Sequence, residues 1–179
     1  TMQLAAAGAV TRAIDISPTR LSRVEENLRR TQLQAQLEAQ DAFEHGGESY
    51  DIVLLDAPCS ATGTIRRHPD LPYAKDGSDF FELIELQGRM IDHAISLLNP
   101  GGRLVFCTFS LLPDEGECQI EEALKRHRGL KIDHSALETD IVDSQMKAAP
   151  EGLRLRPDML SDKGGLDGFF ISILRWDGQ

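Results

Sequence analysis

The sequence predicts an α/β fold, a mostly parallel sheet with helices on both faces, and two features carry that prediction. Apolar runs of strand length alternate with segments of helical periodicity, the pattern of a parallel sheet whose crossovers are helices. One run, Tyr50-Asp51-Ile52-Val53-Leu54-Leu55-Asp56, is apolar on both parities, as a strand covered on both faces is.

The elements follow in order. Residues 10–15 read as a short strand ending in Asp15. Ser17-Pro18 then caps and opens a helix reaching about Arg30, with proline in the first turn, where its missing N–H costs nothing. Residues 33–40 alternate and are closed by Asp41, a second strand, and 50–56 form the third. Phe80, Leu83, Ile84, Leu86, Met90, Ile91, Ala94, Ile95 and Leu98 fall at helical spacing, and Asn99-Pro100-Gly101-Gly102 stops that helix. Residues 103–108 read as a strand, 114–127 as a helix, and Asp167-Gly168-Phe169-Phe170 opens a last strand running to Trp176. Residues 135–165 are weakly patterned and read as loop-rich.

Composition sets the class. A chain of 179 residues with 41% hydrophobic content holds one sizeable core, so one globular domain is expected. No apolar run approaches the ~18 residues of a membrane span, and the start lacks the basic and apolar regions of a signal peptide; a soluble, cytoplasmic protein is expected. Cys59, Cys107 and Cys118 make an odd count without metal-ligand spacing, which points to neither a disulfide framework nor a metal site. A net charge of -10 argues against holding nucleic acid by bulk electrostatics, because phosphate neutralisation supplies most non-specific affinity. Any RNA contact would use local clusters such as Arg66-Arg67-His68 and Arg154/Arg156, or a separate domain.

Asp15, Asp41 and Asp56 each close a predicted parallel strand, and in open α/β sheets the ligand crevice lies beyond the carboxyl ends of the strands. The three acids are expected to converge on one pocket for a nucleoside cofactor, Asp15 taking the ribose hydroxyls and Asp41 lying near the adenine. Acids also begin loops because their side chains cap turns, and the succession of three is what favours the cofactor. Beyond the third strand, Asp56-Ala57-Pro58-Cys59-Ser60-Ala61-Thr62-Gly63 cannot continue pairing at Pro58, which thrusts Asp56 and Cys59 into the crevice. A thiol there can act as a nucleophile if a neighbour lowers its pKa, and Arg66, Arg67 and His68 are the candidate neighbours. A buried, inert cysteine is the commoner fate of a lone thiol.

This stretch resembles motif IV of the Sun (Fmu-like) RNA cytosine-5 methyltransferases. The resemblance continues through Thr64-Ile65-Arg66-Arg67-His68-Pro69-Asp70, Asn99-Pro100-Gly101-Gly102, Leu111-Leu112-Pro113-Asp114-Glu115 and Asp167-Gly168-Phe169-Phe170, nearly the whole chain. It implies a Rossmann-like class I methyltransferase fold, S-adenosylmethionine as cofactor, small-subunit ribosomal RNA as substrate, and Asp15, Asp41 and Asp56 as cofactor-contacting acids.

Two departures matter. In the family, a first strand and a Gly-rich Ala-Pro-Gly-Gly-Lys-type loop precede the helix that here begins around Thr1, and members usually carry an N-terminal RNA-binding domain; residues 1–179 contain none of these. The resemblance therefore implies the C-terminal part of a catalytic domain, with an incomplete sheet, which binds cofactor poorly or self-associates. The second departure is in motif VI, where the family's Thr-Cys-Ser carries the nucleophile and this chain reads Thr108-Phe109-Ser110. Thiolate attack on cytosine carbon 6 is what makes carbon 5 nucleophilic, and phenylalanine cannot perform it. Three readings stay open: Cys59 has taken over, Cys107 has taken over from one pleat deeper on the same strand face, or carbon-5 chemistry is lost.

Other residues have competing roles. Arg66, Arg67 and His68 read as contacts to the RNA backbone or as a solvated loop that also contains Lys75. Phe169 and Phe170 could stack on an extruded base, with core packing expected of at least one. Cys118, beside Glu117 and Glu121, reads as structural. Two further functions compete with methylation of cytosine carbon 5. An exocyclic-nitrogen methyltransferase would share the strand-end acid followed by proline, but position 59 holds no aromatic; a non-catalytic RNA-binding or assembly module is favoured by Phe109.

Overall fold

The structure, a computed structural model, describes residues 1–74, 76–137, 146 and 150–178. It divides into two compact units, Thr1–Gly47 and Glu48–Gln179.

The first unit contains α1 (Met2–Ala6), β1 (Arg12–Asp15), α2 (Pro18–Thr31) and β2 (Gln36–Ala39). β1 and β2 pair in parallel, from Arg12 opposite Gln36 to Asp15 opposite Ala39. α2 starts as the sequence predicts: Ser17 is its N-cap and its hydroxyl accepts from the Arg20 N–H at 3.4 Å, with Pro18 in the first turn. It ends at Gln32, which turns left-handed with φ 58°. Leu21 and Leu28, two helical turns apart on one face, are its buried residues.

The second unit contains β3 (Tyr50–Asp56), α3 (Leu71–Ala74), α4 (Phe80–Ser96), β4 (Leu98–Thr108), α5 (Glu117–Arg126), β5 (Leu130–Ile132), β6 (Leu153–Leu155) and β7 (Phe169–Trp176). The strand order is β3-β4-β7-β5, with β6 also on β7. β3 and β4 are parallel, and β7 runs antiparallel to β4, β5 and β6. Among the described strands of this unit, all but β7 therefore share one direction, as a mostly parallel sheet requires. Period-2 alternation puts Leu104 and Phe106 of β4 and Phe170 and Leu174 of β7 into the core, each fully buried, against Ile91, Ala94 and Ile95 of α4 and Ile120 and Ala123 of α5.

Two expectations meet a different outcome. The apolar parity of β3 does not mean cover on both faces: Val53 and Leu55 pack against the core, whereas Ile52 and Leu54 are 55% and 51% exposed. The Asn99-Pro100-Gly101-Gly102 segment does not stop α4, which ends at Ser96 with Leu97 as its C-cap, but lies inside the strand that Leu98 opens. β4 already pairs at Leu98 opposite Tyr50, and the register then shifts so that Ile52 faces Arg103, which makes the segment a bulge. Its glycines fit that role: Gly101 sits at φ +83°, and a Cβ on Gly102 would stand 2.8 Å from the Asn99 carbonyl oxygen.

Candidate active site

Three loops of the second unit meet where β3 and β4 end. Parallel pairing carries one bond past Asp56, the Ala57 N–H donating to the Cys107 carbonyl at 3.1 Å, and Pro58 cannot extend it. The chain then turns through Ala61, left-handed at φ 60°. Gly63 donates from its N–H to the Phe109 carbonyl at 3.0 Å and accepts from the Gly168 N–H at 2.7 Å. A Cβ on Gly63 would lie 1.9 Å from the Gly168 carbonyl oxygen, so this crossing requires glycine. It draws Cys59, Phe109 and Phe169 into one neighbourhood.

Cys59 is half-buried. Burial pushes its thiol above the ordinary cysteine range, the Ala61 and Phe109 backbone N–H groups pull it back, and the Glu115 and Asp56 carboxylates push it further up. The thiol is therefore protonated at neutral pH, and Arg66, Arg67 and His68 are not among the causes acting on it. Cys107 is 6% exposed, its sulfur 3.6 Å from the Leu55 carbonyl and 3.8 Å from Asp56 Oδ1. Burial, reinforced by Asp56, pushes its thiol up to about 12, which disfavours it as the replacement nucleophile. Cys118 is exposed on α5, and its thiol is also raised, by desolvation first and then by Asp114, Glu121 and Glu117.

Phe109 packs edge-on against Phe169, ring centroids 4.7 Å apart, and keeps 38% exposure. Phe170 is the core residue of its pair, at 0% exposure. Arg154 and Arg156 part company. Arg154 is held beneath the motif VI loop by Glu117 and by the Ser110 and Leu112 carbonyls, its guanidinium 4.9 Å from the Phe170 ring centroid; Arg156 lies at the surface and pairs with Asp158.

The strand-end acids stand as follows. Asp15 closes β1, accepts from the Ser17 N–H at 2.8 Å and pairs with Arg20 at 3.2 Å. Asp41 follows β2 and accepts from the Phe43 N–H at 2.9 Å. Both cap turns in the first unit, and each carboxylate has lone pairs left for a ligand. Asp56 closes β3 in the second unit and is exposed. Arg66, Arg67 and His68 are exposed, but two are already engaged: Arg66 donates to the Gly164 carbonyl at 2.6 Å and Arg67 pairs with Asp167 at 2.7 Å. Lys75 lies outside the described residues.

Sequence reasoning missed a buried polar group beneath the loop. Glu115, Gln87, Ser60 and Ser110 are at most 1% exposed and hydrogen-bonded to one another or through Ser60. One signal was available: Gln87 lies three residues after Ile84 and four before Ile91, inside the apolar stripe of α4. Among the described residues there is no group of three or more His, Cys, Asp and Glu side chains that could hold a metal, and no helix long and apolar enough to cross a membrane.

Comparison with known proteins agrees with this layout. The model of the family described as 16S rRNA methyltransferase RsmB/F matches residues 1–175. Ribosomal RNA small subunit methyltransferase B of Shewanella oneidensis is 45% identical over 166 residues, 90% of this chain and 36% of that protein. Its counterpart in Erwinia tasmaniensis is 38% identical over 167 residues, 90% of this chain and 35% of that protein. The chain thus spans about a third of the length of these relatives. The solved structure of NSun6 from Pyrococcus horikoshii with SFG matches with a TM-score of 0.78 at 29% identity, covering 96% of this chain and 42% of that one. TrmN from Thermus thermophilus, at 15% identity and a TM-score of 0.58, covering 98% of this chain and 40% of that one, shares the fold. That fold is the Rossmann-like class I methyltransferase fold, and the chain belongs to the 16S rRNA methyltransferase RsmB/F family.

Proposed function

We propose that the chain is the C-terminal part of the catalytic domain of a cytoplasmic S-adenosylmethionine-dependent methyltransferase that acts on cytosine carbon 5 of small-subunit ribosomal RNA, with Cys59 as nucleophile in place of the motif VI cysteine. The observation that carries the reading is the position of the Cys59 sulfur, within reach of the backbone N–H of Phe109, beside the position where the family's own nucleophile is attached. The names of the relatives support ribosomal RNA as substrate, and that of NSun6 with SFG supports a ligand site in this fold.

In this reading Asp15 and Asp41 accept hydrogen bonds from the nucleoside part of the cofactor, and Asp56 contacts cofactor or base. Both first-unit acids fit the group, being half-buried carboxylates with unused lone pairs. When bound, S-adenosylmethionine supplies an electrophilic methyl. The Cys59 thiol would give its proton to solvent as the sulfur bonds to carbon 6; carbon 5 would then take the methyl, leaving S-adenosylhomocysteine, and loss of the carbon-5 proton to solvent with expulsion of the thiolate would restore the ring. Arg66, Arg67 and His68 flank the loop at the surface, where they can meet RNA phosphate.

A second reading has a specific observation behind it. Phe109 is packed against Phe169 as an ordinary aromatic pair, which suits a module that binds RNA without methylating it. Labelled S-adenosylmethionine and unmodified small-subunit ribosomal RNA, incubated with the protein in its full natural length, separate the two. Formation of 5-methylcytosine that disappears in Cys59→Ala supports the first reading. No transfer by wild type, with gain in Phe109→Cys, overturns it in favour of the second.

A further inference from the structure

Cys59 is gripped on both sides. The Pro58 carbonyl before it accepts from Gln87 Nε2 at 2.8 Å, and the Ser60 N–H after it donates to Glu115 Oε1 at 2.9 Å. The two gripping side chains are themselves joined, Gln87 Nε2 donating to Glu115 Oε1 at 3.0 Å. The Ser60 hydroxyl donates to Glu115 Oε2 at 2.5 Å. Gln87 comes from α4 and Glu115 from the turn Pro113–Glu115, whose backbone is tied to the end of β4 by Thr108 Oγ1 donating to the Glu115 carbonyl at 2.9 Å. The peptide groups on either side of the thiol are thus referenced to a core helix and to the strand that ends at Thr108, just before position 109.

Stability does not account for this arrangement. Gln87 is fully buried in an otherwise apolar stripe, and its Oε1 has no hydrogen-bond partner among the described residues. A buried acceptor left unpaired is destabilising, a cost at the side chain itself that an apolar residue of the same volume would avoid. The Glu115 carboxylate is 1% exposed, and its three donors, Ser60 N–H, Ser60 hydroxyl and Gln87 amide, are all neutral. A charge buried among neutral donors alone is unfavourable for stability, which points to a role in the placement of its neighbours.

We propose that Glu115 and Gln87 are a positioning pair that sets the place and the reactivity of Cys59. The proposal rests on Cys59 being the reacting thiol, and it is tested without methyl transfer. The native protein in its full natural length, Glu115→Gln and Gln87→Met are alkylated with iodoacetamide across a pH series, and each cysteine is followed by mass spectrometry. Unfolding by urea is measured in parallel.

Gln87→Met relieves the unpaired Gln87 Oε1 but takes the donor from the Pro58 carbonyl, so stability should stay near that of wild type, yet Cys59 should alkylate several-fold faster because Pro58 has lost its anchor. Glu115→Gln keeps the shape and removes the charge that pushes the thiol up. Its Cys59 profile should move to lower pH, with alkylation at pH 8 faster than in wild type. Cys118, on the exposed face of α5, should keep its wild-type rate in both. A wild-type Cys59 profile in either variant overturns the proposal, and so does a rise at Cys118 in step with Cys59, which would mean general loosening. If instead Cys59→Ala retained methyl transfer while these profiles shifted, the functional reading would fail and the positioning role would stand.

Discussion

The two units differ in how their candidate functional side chains are held. In Thr1–Gly47 the buried apolar side chains are Leu21 and Leu28, and Asp15 and Asp41 ride on two four-residue strands. In Glu48–Gln179 one contiguous cluster, including Ile91, Leu104, Phe106, Ile120, Phe170 and Leu174 at 0% exposure, backs the loop that carries Cys59. The difference teaches that the proposed thiol chemistry and the proposed nucleoside contacts would draw on unequal supports. Placing a nucleophile to a fraction of an ångström needs a rigid second layer, and the second unit has one. A carboxylate accepting hydrogen bonds from hydroxyls tolerates more movement.

Four changes sharpen or break that contrast. The largest effect is expected from thiol labelling: Cys107, pushed up to about 12 from a reference of 9.0, should react with iodoacetamide at pH 8 roughly a thousandfold more slowly than an ordinary cysteine, each unit being tenfold. Reaction at the ordinary rate would mean that the second unit opens readily. The sign follows from the thiolate being the reactive form, so labelling of Cys59 should also climb with pH and reach its midpoint above that of an ordinary thiol. Next, Phe106→Ala should destabilise the protein by ~3–5 kcal/mol in urea unfolding, since the side chain is fully buried. Leu28→Ala in the first unit should lie at the low end of the ~2–5 kcal/mol seen for such truncations, because Leu21 and Leu28 are the buried apolar side chains of that unit. A loss matching that of Phe106→Ala would erase the contrast. The smallest effect is Ser17→Ala, which removes the N-cap acceptor of α2 and should cost ~1 kcal/mol, read as faster amide exchange in the first turn of that helix.

Much of the fold was legible because its signals are long. Strand Tyr50–Asp56 coincides with its prediction, and Phe80–Ser96, Glu117–Arg126 and Phe169–Trp176 lie within theirs. The three-residue strands Leu130–Ile132 and Leu153–Leu155 and the single turn Leu71–Ala74 are too short to show a period. Exposure of Ile52 and Leu54 could not be read either, because apolar residues on both parities look alike whatever lies over them. For the site, the break in pairing at Pro58 was readable from its residue type, whereas the Gly63 crossing was not, because it depends on the distant Gly168. The Gln87–Glu115 grip was not: it joins residues from separate elements, and each has an ordinary local reading, Glu115 as an acid at the start of a helix and Gln87 as a helix former.

The central claim is that the Cys59 sulfur bonds to cytosine carbon 6. The most direct test incubates the protein in its full natural length with S-adenosylmethionine and small-subunit ribosomal RNA containing 5-fluorocytosine, whose carbon 5 has no proton to lose after methyl transfer, so the thioether cannot be expelled. Mass spectrometry of the digested complex should find the nucleotide on Cys59, and no adduct in Cys59→Ala. A nucleotide on Cys107 or Cys118, or methylated RNA without any protein adduct, would contradict the account.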